Sequence, residues 1–393
     1  VVGSPPCTQF SFANRGGSGD IEDGLKDISK FLSVVDYLKP KYWAMENVPR
    51  VAGIIENEIK NDGRLAKFSH LKYSIEVVDL CEWGVPQRRQ RCIVGNLDFN
   101  LLNAYKKFTS KRTLGNVIES LSKSKIIDPI YGLEIHRSNL IDHDIEEFLS
   151  PEEERMNREM KTFHPVYNNM AFPDFLNRPA RTITATCTRV SRESIVIASP
   201  EQKNRFRRLT IRERGCLQGF PITYQFYGES YSQKLKMIGN AIPPLLTFYI
   251  AQAMVGIKEC KLIHPSDAIN VFVPPKEPPP KTLPDKIGGS YSPTRRFRAA
   301  IPNLRFKSGM RFELANTFSN SEPDWKVRFF FGNSKNIIEI ELDESIFNQI
   351  KSEIKLKSVI SKIIALINPI EHVISSTDSR TLQSVWTLSL IHI

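Results

Sequence analysis

Apolar positions along the first hundred residues follow two spacings in turn. Ile21, Leu25, Ile28, Phe31, Leu32, Val35 and Leu38 recur every three or four residues, which predicts a helix over 21–38 that Pro40 stops. The run Tyr42-Trp43-Ala44-Met45 predicts a short buried strand ending at Glu46-Asn47, and a second helix is predicted from Val51 to Ile59. Tyr73 to Leu80 and Arg91 to Gly95 read as further strands. Strands and helices alternating at these lengths point to the α/β class, with a parallel sheet and helices on both faces. In such sheets chemistry gathers where strands end and loops begin. Gly3–Cys7 and Glu46-Asn47 both fall at such ends.

From about Asn96 to Asn204 the rhythm is lost. The stretch is polar, with a charged helix predicted from Ser150-Pro151-Glu152 onward, since a serine followed by acids suits a helix N-terminus. A β-prone run follows from Arg181 to Ala198. Helical patterns return over Thr210–Gln218 and Pro244–Lys258. The segment 271–289 is dense in proline, which predicts an extended, semi-rigid linker. Beyond it lie β-like runs (Val327 to Phe331, Ile337 to Leu342) and a helical pattern from about Glu344 to Ile367. The division expected is 1–95 and 205–270 as one domain, 96–204 as a domain inserted into it, 271–289 as linker, and 290–393 as a small α+β appendage.

Composition narrows the class. Of 393 residues, 41% are hydrophobic and 25% charged, ordinary for globular proteins, and no apolar stretch approaches the length of a membrane span. Lys and Arg number 54 against 43 Asp and Glu, a net +11 that favours a polyanionic partner. The six cysteines form no CxxC pair and the seven histidines are isolated, so no metal site and no disulfide framework are expected, and a reducing compartment is. The chain opens on Val1-Val2-Gly3, which reads as the end of a buried strand and suggests a chain lacking its N-terminal part. The apolar end, Trp386 to Ile393, carries no polar stop.

Four groups of residues could carry chemistry. Cys7, just past a strand end and restrained by Pro5 and Pro6, is a presented thiol whose thiolate would be a nucleophile. Glu46 places a carboxyl at the next strand end. If a strand begins at Gln87, then Gln87, Arg89 and Arg91 share one face at period two, and two fixed guanidiniums there suit a phosphate or a base carbonyl. Lys203, Arg205, Arg207 and Arg208 form a later basic cluster. Taken singly, each has an ordinary alternative: an incidental cysteine in a turn, a solvated glutamate, a solvated basic face.

It is the order of motifs that is informative. Pro-Pro-Cys-x-x-Phe-Ser from Pro5, Glu46-Asn47-Val48, Gln87-x-Arg89-x-Arg91, Arg208-Leu209-Thr210-Ile211-Arg212-Glu213 with Leu217-Gln218-Gly219-Phe220-Pro221, and Gly239-Asn240-Ala241-Ile242-Pro243-Pro244 together resemble the DNA (cytosine-5) methyltransferase family of bacterial and phage type. The resemblance covers residues 1 to about 255. It implies a Rossmann-like methyltransferase sheet, its first strands absent here, with an inserted target-recognition domain over 96–204. It also implies transfer of a methyl group from S-adenosyl-L-methionine to C5 of a cytosine flipped out of duplex DNA. Cys7 matches the residue that attacks C6, Glu46 the acid at N3, Arg91 the arginine on O2 and Arg89 its partner at the site. Asn47 matches a residue holding the Pro-Cys loop, with Gln87 another structural residue at the site. Pro6, Asn240, Ala241 and Ile242 match cofactor-pocket positions. The basic cluster Lys203, Arg205, Arg207 and Arg208 is assigned to phosphate contact.

The chain departs from the family in two places. Gln9 stands one position later than the usual glutamine after the cysteine, where Thr8 is found. No Phe-x-Gly-x-Gly segment precedes the Pro-Cys loop, so the fragment alone is expected to be inactive. Expected associations are double-stranded DNA, a cognate restriction endonuclease system or a complementing N-terminal chain, and a cytoplasmic setting without membrane. Two other readings stay open: a non-catalytic DNA-binding half of a split methyltransferase, and an RNA cytosine-5 methyltransferase. In the appendage, Arg295-Arg296-Phe297-Arg298 and Arg305-Phe306-Lys307 interleave basic and aromatic residues, a pattern suited to nucleic acid or to simple packing.

Overall fold

The computed structural model describes residues 1–11, 19–60, 63–162, 170–267 and 277–288, with the backbone of strands at 297–300, 311–319, 322–331 and 336–341. The chain divides into two compact units, Val1–Arg158 with Ala171–Ile287, and Glu159–Met170 with Gly288–Ile393.

The first unit opens with β1 (Val2–Gly3), α1 (Ile21–Leu38), β2 (Ala44–Asn47), α2 (Val51–Lys60), β3 (Ser74–Asp79) and β4 (Gln90–Gly95). Helix α1 has the span its spacing predicts. Asp20 caps it by accepting from the Asp23 N–H, and Lys39 closes it in a left-handed conformation just before Pro40. The sheet order is β1-β2-β4-β3. Only β1 and β2 run parallel, with Val2 opposite Ala44. β4 is antiparallel to both β2 and β3. The all-parallel expectation is therefore corrected. The connection over 80–89 is too short to carry a crossover helix, so β4 must return beside β3 in the opposite direction.

Further along come α3 (Phe99–Ala104), α4 (Leu114–Ser122), β5 (Lys125–Ile127), β6 (Glu134–His136), α5 (Pro151–Thr162), β7 (Val196–Ala198), β8 (Phe206–Arg208), α6 (Ile211–Leu217), α7 (Tyr231–Asn240) and α8 (Pro244–Met254). Helices cover both faces of the sheet. Met45, Cys92 and Val94 pack with Ile28, Leu32 and Ile55 of α1 and α2, while Ala44 and Ile93 pack with Leu246, Tyr249 and Ile250 of α8. Each such fully buried aliphatic side chain contributes about 1.5–3 kcal/mol relative to exposure. A third core joins α4, α6 and α7 to Ile183, Ile195 and Ile197.

Two other expectations change. The β-prone run 181–198 forms a strand only over β7. Its earlier backbone groups are taken by side chains of the 87–89 segment rather than by a neighbouring strand: Gln87 accepts from the Ile183 N–H and Arg89 donates to the Ile183 carbonyl. The proline-rich stretch is not a free spacer through Ile287, which belongs to the first unit. Tyr227 donates to the Glu277 carbonyl, Lys234 Nζ donates to the Pro280 carbonyl at 2.9 Å, and Asp285 pairs with Arg208.

The described part of the second unit is an antiparallel sheet of β9 (Phe297–Ala300), β10 (Arg311–Ser319), β11 (Glu322–Phe331) and β12 (Asn336–Glu341), in the order β12-β11-β10-β9. Its register sets Phe312, Leu314, Val327, Phe329, Ile338 and Ile340 at positions sharing one face. The helical pattern predicted from Glu344, the basic residues Arg295, Arg296, Arg305 and Lys307, and the end at Trp386–Ile393 lie outside the described residues.

Candidate active site

The loop leaving β1 is pinned at two points. Asn47, the last residue of β2, donates its amide to the Pro5 carbonyl at 3.0 Å and accepts from the Val48 N–H. Five residues on, Phe10 is fully buried among α1 and α2, against Gly24. A methyl group on Gly24 would meet the Phe10 ring at 2.5 Å, so this glycine is needed for the close approach. Between the pins, the Cys7 carbonyl accepts from the N–H groups of Phe10 and Ser11, and the Cys7 side chain is half-buried.

Glu46, one residue before Asn47, is 8% exposed. Arg91 of β4 sets its Nε 2.8 Å from Glu46 Oε1. Ser4 Oγ donates to the other oxygen, Oε2, at 2.7 Å. The carboxyl is thus held on both oxygens at the mouth of the Cys7 loop. Arg91 is nearly buried, and burial pushes its proton affinity below the usual guanidinium range, with Glu46 and Cys7 acting in the opposite sense.

Arg89 faces a different set of partners. Its guanidinium donates to the carbonyls of Ile183 at 2.9 Å, Gly239 at 2.7 Å and Ala241 at 3.4 Å. Burial, with the like charge of Arg91 behind it, also lowers its proton affinity. Gln87 is fully buried and donates to Gln218 Oε1, while Gln218 Nε2 donates to the Ala241 carbonyl at 2.7 Å. Three distant segments, 87–89, 183 and 239–241, therefore meet in one hydrogen-bonded knot. At its tightest point a methyl on Gly239 would lie 2.3 Å from the Ala185 nitrogen.

Beside the sheet edge at β1 lies a cavity of about 250 Å³, lined by Val2, Glu46, Ile93, Ile242, Ile250 and Met254 among others. Pro6 and Asn240 are exposed, and Ala241 and Ile242 half-buried.

The family model described as C-5 cytosine-specific DNA methylase matches residues 1–256. The chain belongs to the C-5 cytosine-specific DNA methylases. Among curated relatives, type II methyltransferase M1.HphI of Haemophilus parahaemolyticus is 27% identical over 266 residues, covering 65% of this chain and 68% of its own. Type II methyltransferase M.MthTI of Methanothermobacter thermautotrophicus is 27% identical over 266 residues, covering 64% and 76%. A solved putative DNA modification methyltransferase encoded within an E. coli prophage superposes with a TM-score of 0.42 at 16% identity, over 65% of this chain and 78% of its own.

Within this methylase chain the structure brings together Cys7, Glu46, Asn47 and Arg91. It corrects two other assignments. Arg89 is 2% exposed, and its Nη1 and Nη2 donate to three backbone carbonyls, so burial and these bonds hold it back from a substrate. Arg207 and Arg208 are buried to 1% and 0% exposure and cannot touch a phosphate. Arg207 pairs with Glu213 and Glu201, and Arg208 pairs with Glu146 and Asp285. A basic run does not reveal that Arg208 finds a carboxylate 62 residues away, at Glu146. Lys203 and Arg205 are exposed, with the Arg205 guanidinium 5.1 Å from the Phe148 ring. The sequence reading passed over Ser4 and Gln218. The local signal was that Gln218 belongs to a motif already in view and Ser4 directly precedes one. Among the described residues no group of His, Cys, Asp and Glu is arranged to hold a metal, and no helix is long and apolar enough to cross a membrane.

Proposed function

We propose that this chain methylates C5 of a cytosine flipped out of duplex DNA, as the modifying member of a type II restriction–modification pair in a bacterial or phage-encoded, cytoplasmic setting. The observation that carries the reading is the convergence of Cys7, Glu46 and Arg91 on one loop mouth, with Glu46 held from both sides. Cytosine C5 is a poor nucleophile until something adds at C6. Cys7 Sγ forms that bond, Glu46 supplies the proton or hydrogen bond at N3, and the Arg91 guanidinium faces O2, where negative charge builds. Arg89 and Gln218 keep 183 and 239–241 in register behind Arg91, so Arg89 acts as a positioning residue.

S-adenosyl-L-methionine, when bound, supplies an electrophilic methyl group. The cavity beside β1 supports a place for it: the lining is almost wholly apolar, and it joins Ile242 to the Glu46 side of the site. Pro6 and Asn240 are exposed but do not line that cavity, and the Ala241 carbonyl is committed to Gln218 and Arg89. Exposed Lys203 and Arg205 are the members of the basic cluster available to the duplex backbone.

The test uses duplex DNA tritiated at cytosine C5. Addition at C6 makes C5 basic, so hydrogen at C5 exchanges with water whether or not a methyl donor is bound. Because this exchange needs no methyl donor, the unsubstituted chain is expected to release tritium even where it transfers no methyl group, and Cys7→Ser to release none above background while still retarding the same duplex in a gel. Equal release by Cys7→Ser would remove the mechanism. Release from tRNA in preference to duplex DNA would move the substrate to RNA.

A further inference from the structure

Glu46 must lose a proton to the base and recover one in each cycle, yet it is 8% exposed and has Arg91 on one oxygen. The geometry points to Ser4 as the group that returns the proton. Ser4 Oγ lies 2.7 Å from Glu46 Oε2, and Ser4 itself is exposed. A hydroxyl is both donor and acceptor on a freely rotating bond. With Glu46 ionised it donates to Oε2; with Glu46 protonated on Oε2 it rotates and accepts. Arg91, the other side chain paired with the carboxyl among the described residues, cannot play this part, because a guanidinium only donates and it reaches Oε1.

The inference rests on the proposed cytosine chemistry. As Cys7 Sγ bonds to C6, the Glu46 proton passes to N3 and leaves a carboxylate. In exchange, C5 takes a proton from water and loses its original hydrogen. The sulfur–C6 bond then breaks, the electron pair returns to sulfur, and N3 gives up its proton. Whenever that proton is lost to solvent rather than returned, Ser4 resets the acid. Its own hydroxyl proton moves to Glu46 Oε2 while a proton from bulk solvent arrives at Ser4 Oγ, so charge and atoms balance. Ser4 is a positioning and relay residue and does not touch the base. The other charged or titratable groups coupled to the carboxyl are Arg91 and Cys92 of β4, Arg89 just before that strand, and half-buried Cys7 of the loop; Arg89 and Cys92 are buried and Arg91 nearly so.

The experiment measures tritium release from C5-labelled duplex DNA by the full chain and by Ser4→Ala, Ser4→Thr and Cys7→Ser, across pH and across acetate concentration at fixed pH. Ser4→Ala is expected to lower kcat about 10- to 100-fold with KM for DNA changed by less than about twofold. Ser4→Thr, which keeps the hydroxyl, is expected to restore most of the rate. Added acetic acid should accelerate Ser4→Ala but leave the unsubstituted chain unchanged, which a merely structural serine would not produce. Wild-type kcat in Ser4→Ala overturns the relay, and so does a loss that neither threonine nor acetate repairs. Release that is absent from the unsubstituted chain as well as Cys7→Ser overturns the cytosine chemistry itself, which separates the two failures.

Discussion

Two pairs of arginines in this methylase look alike in sequence and end in opposite chemical situations. Arg207 and Arg208 each pair with two carboxylates: Glu213 and Glu201 for one, Glu146 and Asp285 for the other. Arg89 meets only carbonyl oxygens, and Arg91 shares one carboxyl with Ser4. Three are buried and Arg91 nearly so, and burial acts against each charge. For Arg207 and Arg208 the carboxylates outweigh it and proton affinity rises. For Arg89 and Arg91 burial prevails and proton affinity falls. A neutralised pair is a structural bolt. An under-neutralised pair is a source of positive potential, and here it is aimed at Cys7 and Glu46.

The largest effect expected from breaking this contrast is on the bolted pair. Arg207→Met leaves Glu213 buried without its cation and should cost about 3–5 kcal/mol in denaturant unfolding, with the salt dependence of DNA binding unchanged. The pair also carries a pH signature. Burial would raise the Glu213 carboxyl, but Arg207 outweighs it and holds it below its ordinary 4.5. The unfolded chain therefore binds the proton first. Stability from this carboxyl is present above pH 4.5 and is lost as pH falls below it. Arg207→Met should flatten that acid limb, and an unchanged limb would show that the pair does not control it.

A smaller loss is expected for Arg89→Met, about 1–3 kcal/mol, because the carbonyls of Ile183 and Gly239 lose their donor. Its more telling result is a fall in tritium release beyond what the unfolded fraction explains, with DNA affinity retained. Were Arg89 only a bolt, release would track the folded fraction. The smallest structural effect belongs to Lys203→Ala with Arg205→Ala. Stability should change by less than about 0.5 kcal/mol, while the slope of log affinity against log salt should fall by about 1–2. An unchanged slope would place the duplex elsewhere.

The elements were legible where local pattern and local capping agree. Helix α1 was readable to the residue because Asp20 and Lys39-Pro40 bracket its apolar stripe. Strand β4 was readable as an element, and its direction follows from the short 80–89 connection once β3 is known to be its neighbour, which local pattern does not reveal. Helix α7 was passed over: it is largely polar outside, and Ser230 is its only cap signal. At the site, Cys7, Glu46, Asn47 and Arg91 were legible through motif order. The partners that divide Arg89 from Arg91, and Arg207 from Lys203, lie 94 or more residues away in the first case and are fixed by burial in the second. Composition carries no trace of either.

Ile183 presents its N–H to Gln87 and its carbonyl to Arg89, and two residues later Ala185 leaves no room for even a methyl on Gly239. This constrains anyone who would exchange recognition modules between methylases to build chimeras. A donor segment that ends upstream of Ala180 leaves the seam with its native neighbours intact. One that runs past it must import a backbone with the same course, or the splice will displace Arg89 and, through it, the end of α7 that bears Asn240.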